Sequence, residues 1–177
     1  MNIKKIESIF PELHKITKKE MRDKVASTWA ESIKRGGWEV EELKDVPFTL
    51  LITDAKIDLV QHTNNVTKTA IAIANELSSF YSDLKIDMDI LIAGALLHDV
   101  AKLMEYDKKD GKVVKSEIGQ FLRHPIGGAA LAAKHGLPDE IVHIIGSHSK
   151  EGNFAKRTTE AIIIHHADFL NFEPFHQ

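Results

Sequence analysis

The sequence contains no cysteine, which excludes disulfides, thiolate zinc sites and cysteine nucleophiles. Any metal must therefore be held by His, Asp, Glu or water. No stretch approaches the roughly 20 apolar residues of a membrane span, and Met1 to Glu7 lacks the apolar centre and small-residue cleavage site of a signal peptide. A cytoplasmic protein with no membrane partner is expected. Basic residues are not in surplus: the net charge is -3, which gives no electrostatic reason to expect nucleic acid. Internal repeats, low-complexity tracts, linkers rich in Gly, Ser or Pro, and Gly-rich phosphate loops are also missing. What remains is a chain of 177 residues, 43% hydrophobic and 28% charged, the size of one domain with a real core.

What is present is helical periodicity and histidine. Thr17-Lys18-Lys19-Glu20 has the form of a capping box, and Met21, Val25, Trp29 and Ile33 follow at four-residue spacing until Gly36-Gly37, predicting an amphipathic helix. A second pattern, from Asp54 to about Ser82, puts Leu59, His62, Val66, Ala70, Ile73 and Leu77 on one face, and a third from Asp89 groups Leu91, Gly94, Ala95 and His98. Phe48 to Ile52 reads as a buried connector or as a helix start. Tyr106 to Gly119 is charged and reads as an exposed flap or short hairpin. Arg123-His124-Pro125 opens a helix that ends at His135-Gly136. Asp139 and Glu140 open the next, with His148 on its apolar face and His143 off it, at the surface. Thr158 or Thr159 caps the last helix, where Ala161, Ile164, His165 and Asp168 share a face. Phe172 and Phe175 are expected to dock on the core, and His14 and His176 to play no part. The fold class is all-α and single-domain, with residues 1–53 as a helical extension packed on a helical core of residues 54–177.

The stretch from Leu96 to Lys102 sets an imidazole, His98, a carboxylate, Asp99, and an ammonium, Lys102, within two turns of an otherwise apolar segment. An Asp buried there is costly unless paired or bound to a metal. The plainer alternative is a helix C-terminus whose His and Lys sit on the dipole. If the helix continues, His98, Asp99 and Lys102 project towards one patch. His62, His124, His148 and Asp168 each lie on or at the end of another apolar helix. Four imidazoles and two carboxylates exceed what one octahedral ion with open positions needs, and they suit two ions sharing a bridging carboxylate. Such ligation favours iron, manganese, zinc, nickel or cobalt over calcium or magnesium. Two such ions lower the pKa of a shared water and neutralise a phosphoryl group during in-line attack. Read singly, each His is also explained as a hydrogen-bonded core side chain.

Taken in order, His62, His98-Asp99, His124, His148 and Asp168, at separations of 36, 26, 24 and 20 residues, resemble the HD-domain superfamily of metal-dependent phosphohydrolases from about Ile57 to Leu170. With His124 and His148 present, the set is similar to the dinuclear subset, which includes dinucleoside tetraphosphate hydrolases, cyclic dinucleotide phosphodiesterases and a few diiron oxygenases. The resemblance implies an HD-type helical bundle in which these six residues hold two divalent or mixed-valent ions, iron foremost, with manganese, nickel, cobalt or zinc as the others. It implies that Asp99 bridges the ions and that Lys102 is the phosphate-facing cation of a His-Asp-x-x-Lys pattern, these two being the catalytic pair. Arg123, beside His124, is a second substrate-binding candidate. His165, one turn before Asp168, is a candidate to orient that carboxylate, with a core or surface His as the plainer reading. A Gly-Tyr-Pro triplet is absent, which disfavours cyclic dinucleotides, and Ser149 follows His148 where some dinuclear members carry another His. The expected activity is hydrolysis of a phosphate ester or anhydride of a nucleotide or another small phosphorylated molecule. The alternatives are a diiron oxygenase, distinguished by oxygen consumption, and a non-catalytic nucleotide sensor, distinguished by retained ligand without turnover. Residues 1–53 fall outside the resemblance and are expected to pack on the core or act as a lid.

Overall fold

The computed structural model describes residues 3–52 and 56–176. In chain order it contains α1 (Ile3–Ile9), a 3-10 turn (Pro11–Lys15), α2 (Lys19–Arg35), a second 3-10 turn (Val40–Asp45), α3 (Leu59–Phe80), α4 (Met88–Leu97) and α5 (Lys102–Glu105). A hairpin of β1 (Tyr106–Lys109) and β2 (Lys112–Lys115) follows, then α6 (Glu117–Phe121), α7 (His124–Lys134), α8 (Asp139–Ser147) and α9 (Thr159–Leu170). This is the expected all-α architecture with one small hairpin. No helix among the described residues is long and apolar enough to cross a membrane.

The organising element is α4. Every residue from Asp89 to Leu97 is buried, so the helix has no polar face and is surrounded: α2, α3, α8 and α9 all pack on it. Its neighbours are amphipathic and bury one stripe each, Met21, Val25, Trp29 and Ile33 from α2, and Leu59, His62, Val66, Ala70 and Ala74 from α3. The stripe on α3 follows the predicted one at Leu59, His62, Val66 and Ala70, while Ile73 and Leu77 are half-buried and Ala74 takes the buried position. That helix begins at Leu59, where Asp58 and Gln61 form a reciprocal capping box. The start expected at Asp54, like the division between residues 53 and 54, lies outside the described residues.

Expectations at Thr17 and His143 are corrected. Thr17 does not cap α2: the N-cap is Lys18, without a side-chain hydrogen bond. The Thr17 hydroxyl instead donates to Asp89 on α4, which also accepts the backbone N–H groups of Thr17 and Lys18. A carboxylate from a distant element meets the donors of the helix start, and the large separation in sequence hides it from local pattern reading. His143 is not at the surface. It is half-buried, and its Nε2 is buried without a hydrogen-bond partner.

The charged segment after α5 is a hairpin, turned by Asp110 and Gly111 at φ 53° and 74°, the left-handed pair a two-residue turn requires. Its strands are largely exposed, but Tyr106 at its base is buried. Phe48 to Ile52 is a connector with no helix: Phe48 is buried while Leu50 and Leu51 are exposed. Phe175 does not dock and is 52% exposed.

Candidate metal centre

The helix does not run on from His98 to Lys102. After Leu97 the backbone makes a turn, with the Val100 N–H on the Leu97 carbonyl and the Lys102 N–H on the Asp99 carbonyl, before α5 begins. Consecutive residues of a continuous helix project about 100° apart, whereas here His98 and Asp99 face one point, His98 Nε2 lying 3.3 Å from Asp99 Oδ2. That oxygen is also 3.5 Å from His62 Nε2 and 2.7 Å from Lys102 Nζ. The other oxygen, Oδ1, lies 3.2 Å from His124 Nε2 and 3.7 Å from His148 Nε2. Asp168 Oδ1 is 3.1 Å from His62 Nε2 and 3.9 Å from His98 Nε2. The structure therefore brings all six sequence-derived ligand candidates together. Five of them fall into two groups that could each hold a metal ion, with Asp99 in common: His62, His98 and Asp99 on one side and Asp99, His124 and His148 on the other.

Three of the imidazoles are oriented through their far nitrogen. His98 Nδ1 donates to the Ala95 carbonyl at 2.6 Å and His148 Nδ1 to the Ile145 carbonyl at 2.8 Å, each one turn back along its own helix. His124 Nδ1 donates to Glu105 Oε2 at 2.6 Å, and the same oxygen accepts the His124 backbone N–H at 2.7 Å. A proton fixed on Nδ1 leaves the lone pair on Nε2, the tautomer a metal needs. His98 Nε2 is buried with no hydrogen-bond partner, its approach to Asp99 being a contact of charges and not an aligned bond. A cation between these nitrogens and the two carboxylates is what such an orphaned ligand atom fits.

The electrostatics agree. Burial alone would raise both carboxyls, but Lys102 and His98 hold Asp99 well below the usual carboxylate range, and the His62 hydrogen bond and His98 hold Asp168 well below it too. Burial would lower His98, yet Asp99 and Asp168 outweigh it and raise that imidazole. Burial, joined by the charge on His98, pushes His148 down to about 3, and burial also lowers His62. Two ionised carboxylates faced by one ammonium leave a net negative pole that a proton on His98 or a metal cation neutralises.

Lys102 does not reach solvent. It is buried, its pKa raised by Asp99 against the effect of burial, and its ammonium donates to the Phe48 carbonyl at 2.5 Å and to Asp99 Oδ2. An ammonium has three donors, so one remains for a ligand oxygen. Arg123 lies with its Nε 2.9 Å from Glu151 Oε1. His165 meets the site by donating from Nδ1 to the carbonyl of His148 at 2.6 Å, and not through Asp168.

A cavity of about 430 Å³ opens onto His62, Asp99, Lys102, His124 and Asp168, with Arg123, Lys115 and Lys150 also on its wall. Its remaining lining includes five rings, Phe48, Tyr106, Phe169, Phe172 and His176, beside aliphatic and polar residues such as Leu50, Leu51 and Ser149. Burial pushes the Tyr106 phenol up to about 12, so it is a neutral hydroxyl at neutral pH. Sequence reasoning missed Glu105, Tyr106 and the aromatic wall, and it dismissed His176, which stacks on Phe172 with ring centroids 5.1 Å apart. Glu105 carried one usable signal, an acidic residue one turn after a buried Lys in an apolar run. A larger cleft, about 1090 Å³ beside Trp38, is lined by none of the six ligand candidates.

Similarity to known proteins follows the same segment. The chain is 33% identical over 111 residues to a dihydroneopterin 2',3'-cyclic phosphate phosphodiesterase of Methanocaldococcus jannaschii, covering 62% of this chain and 44% of that one. It is 26% identical over 126 residues to a tRNA (cytidine(56)-2'-O)-methyltransferase of Thermoplasma volcanium, covering 63% and 31%. It is 29% identical over 107 residues to ribonuclease Y of Acidothermus cellulolyticus, covering 60% and 19%. The chain thus spans less than half the length of these curated relatives. No solved structure matches it. The HD domain model matches residues 59–171, which contain all six ligand candidates, and the chain belongs to the HD domain family.

Proposed function

We propose that this protein is a metal-dependent phosphoric ester hydrolase whose substrate is a small phosphorylated molecule carrying a planar ring, a nucleotide or a cyclic phosphate of similar size. The observation that carries this reading is Asp99, whose two oxygens face two separate ligand sets at the floor of a cavity walled by cations and aromatic rings. Two transition-metal ions, iron foremost, would when bound there supply Lewis-acid activation of water and neutralisation of phosphoryl charge. His62, His98 and Asp168 would hold one ion and His124 and His148 the other, with Asp99 between them. Lys102 keeps Asp99 ionised and offers its third N–H to a phosphate oxygen, and Arg123 offers a second cation at the wall. Phe48, Phe169 and Phe172 give the organic part an apolar surface to lie against. A cavity of about 430 Å³ suits one mononucleotide-sized ligand. The name of the 33% identical relative, a phosphodiesterase of a pterin cyclic phosphate, supports a ring-bearing phosphoester.

The test is a hydrolysis screen with iron, manganese, nickel and cobalt each added to metal-stripped protein. The panel holds cyclic and linear mononucleotides, a dinucleoside polyphosphate, a short oligoribonucleotide and glycerol phosphate. Metal-dependent release from ring-bearing monomers, and little from glycerol phosphate, is expected. A fully loaded protein that hydrolyses none of them would overturn the assignment.

A further inference from the structure

The segment before residue 59 lies outside the family match, yet three of its side chains donate hydrogen bonds into the metal turn. The interruption between α4 and α5, and the end of α5 at Glu105, leave backbone carbonyls that a continuous helix would satisfy, and each must find another donor or stay buried and unpaired. Ala95 is served by the His98 ring, Leu97 by the Val100 N–H and Asp99 by the Lys102 N–H. The Leu96 carbonyl accepts from Trp29 Nε1 at 3.0 Å, the Val100 carbonyl from Ser32 Oγ at 2.6 Å, and the Leu103 carbonyl from Trp38 Nε1 at 2.7 Å. All three bonds are buried and join residues 65 to 68 apart in sequence.

The donors are themselves held in place. Asp89 fixes the start of α2 through Thr17 and Lys18. Phe10 stacks on the Trp29 indole with centroids 4.5 Å apart. At the other end of α2, a Cβ on Gly36 would overlap the Leu103 carbonyl oxygen, so the two backbones are as close as a glycine allows. The same N-terminal segment supplies the Phe48 carbonyl that anchors Lys102, and the Phe48 ring packs 4.8 Å from the His62 ring.

We infer that Trp29, Ser32 and Trp38 are positioning residues for the metal centre: they hold open the turn between α4 and α5 in the one backbone path that points His98 and Asp99 at the same ion. The N-terminal segment is then part of the site and more than a cover over the core. This rests on the metal-centre reading above, so the experiment has to separate the two.

The experiment measures Co(II) and Mn(II) binding to metal-stripped parent protein and to Trp29→Phe, Ser32→Ala, Trp38→Phe and Gly36→Ala, alongside thermal unfolding of each. Ile16→Val, buried in the same segment with no bond to the turn, is the control for stability loss alone, and Ser32→Thr, which keeps the hydroxyl, is the rescue. The donor-deleting variants should bind metal roughly tenfold more weakly and shift the Co(II) ligand-field spectrum. Ile16→Val should bind like the parent, and Ser32→Thr should restore most of the affinity lost in Ser32→Ala. If Trp29→Phe does not fold, Ser32→Ala and Trp38→Phe decide the question through the same readouts. Affinities within twofold of the parent and unchanged spectra, whatever the loss of stability, would overturn the inference. A parent that binds no metal would instead overturn the metal-centre reading.

Discussion

His98 and His148 sit in nearly the same local geometry and in opposite surroundings. Each is the C-cap of its helix, α4 or α8, at φ/ψ of -52°/-39° and -64°/-34°, and each turns its ring back to bond the carbonyl three residues earlier. Beyond that, His98 lies against two carboxylates and is raised, whereas His148 is driven down to about 3 by burial and by the charge on His98. Their supports differ too. The carbonyls around His98 are held by Trp29, Ser32 and Trp38 from the N-terminal segment. Those around His148 are held by the following segment, Arg157 bonding the Ser147 and Ser149 carbonyls and His165 the His148 carbonyl. One local device is thus used twice, and the long-range contacts make the two halves of the centre unequal.

The sharpest way to break the comparison is to remove what the halves share. Asp99→Ala should cost both ions and nearly all hydrolysis, read by elemental analysis and by turnover on whichever phosphate ester the parent cleaves. The same variant leaves Lys102 buried without its partner, so unfolding should also be easier by about 3 kcal/mol or more. A smaller effect, on the order of a hundredfold in turnover, is expected for Lys102→Ala. Its metal content should not fall, because the ammonium competes with a cation for Asp99 Oδ2. Parental turnover in that variant would remove Lys102 from the substrate contacts.

How far the sequence reached is clear from these same residues. The helices and the six ligand candidates were legible because each is a property of one segment: a buried stripe at helical spacing, or a polar residue on it. At residues 98–101 the sequence offered both a helix end and a continuing helix, and the structure has the end, with His98 as the C-cap of α4. An apolar run such as Leu91 to Leu97, with Val100, Ala101 and Leu103 beyond it, looks the same whether the helix continues or breaks, since every face is buried. Asp89 and Thr17, or Trp29 and Leu96, meet only in the folded chain, so no local pattern announces either pair. Lys102 and Glu105 show in the sequence only as charged residues beside an apolar run. Their partners in the folded chain are Phe48, Asp99 and His124, which come from distant or separate elements.

Smaller effects probe the His148 half alone. Arg157→Ala and His165→Ala each loosen carbonyls beside His148, and each should weaken binding of one ion about tenfold, with the other unaffected. Equal loss of both ions would mean that the halves are not separately supported. The smallest effect is in pH. His148 titrates at about 3 in the folded protein against roughly 6.5 unfolded, so between these values the unfolded chain binds the extra proton and stability falls as pH falls. His98, raised by its carboxylates, acts in the opposite sense: its contribution is present at low pH and lost as pH rises through its folded value. In metal-free protein, His148→Gln should therefore flatten the decline of melting temperature between about pH 6.5 and 5, while His98→Gln should leave that range alone and remove a loss of stability that sets in above about pH 6.5.

The central claim is that Asp99 joins two ligand sets, and counting ions tests it most directly. Metal-stripped parent, His148→Ala and His124→Ala would be loaded with Mn(II) or Fe(II), desalted and assayed for metal per chain. Two ions in the parent and one in each variant are predicted. One ion in the parent, or the same number in all three proteins, would contradict the account.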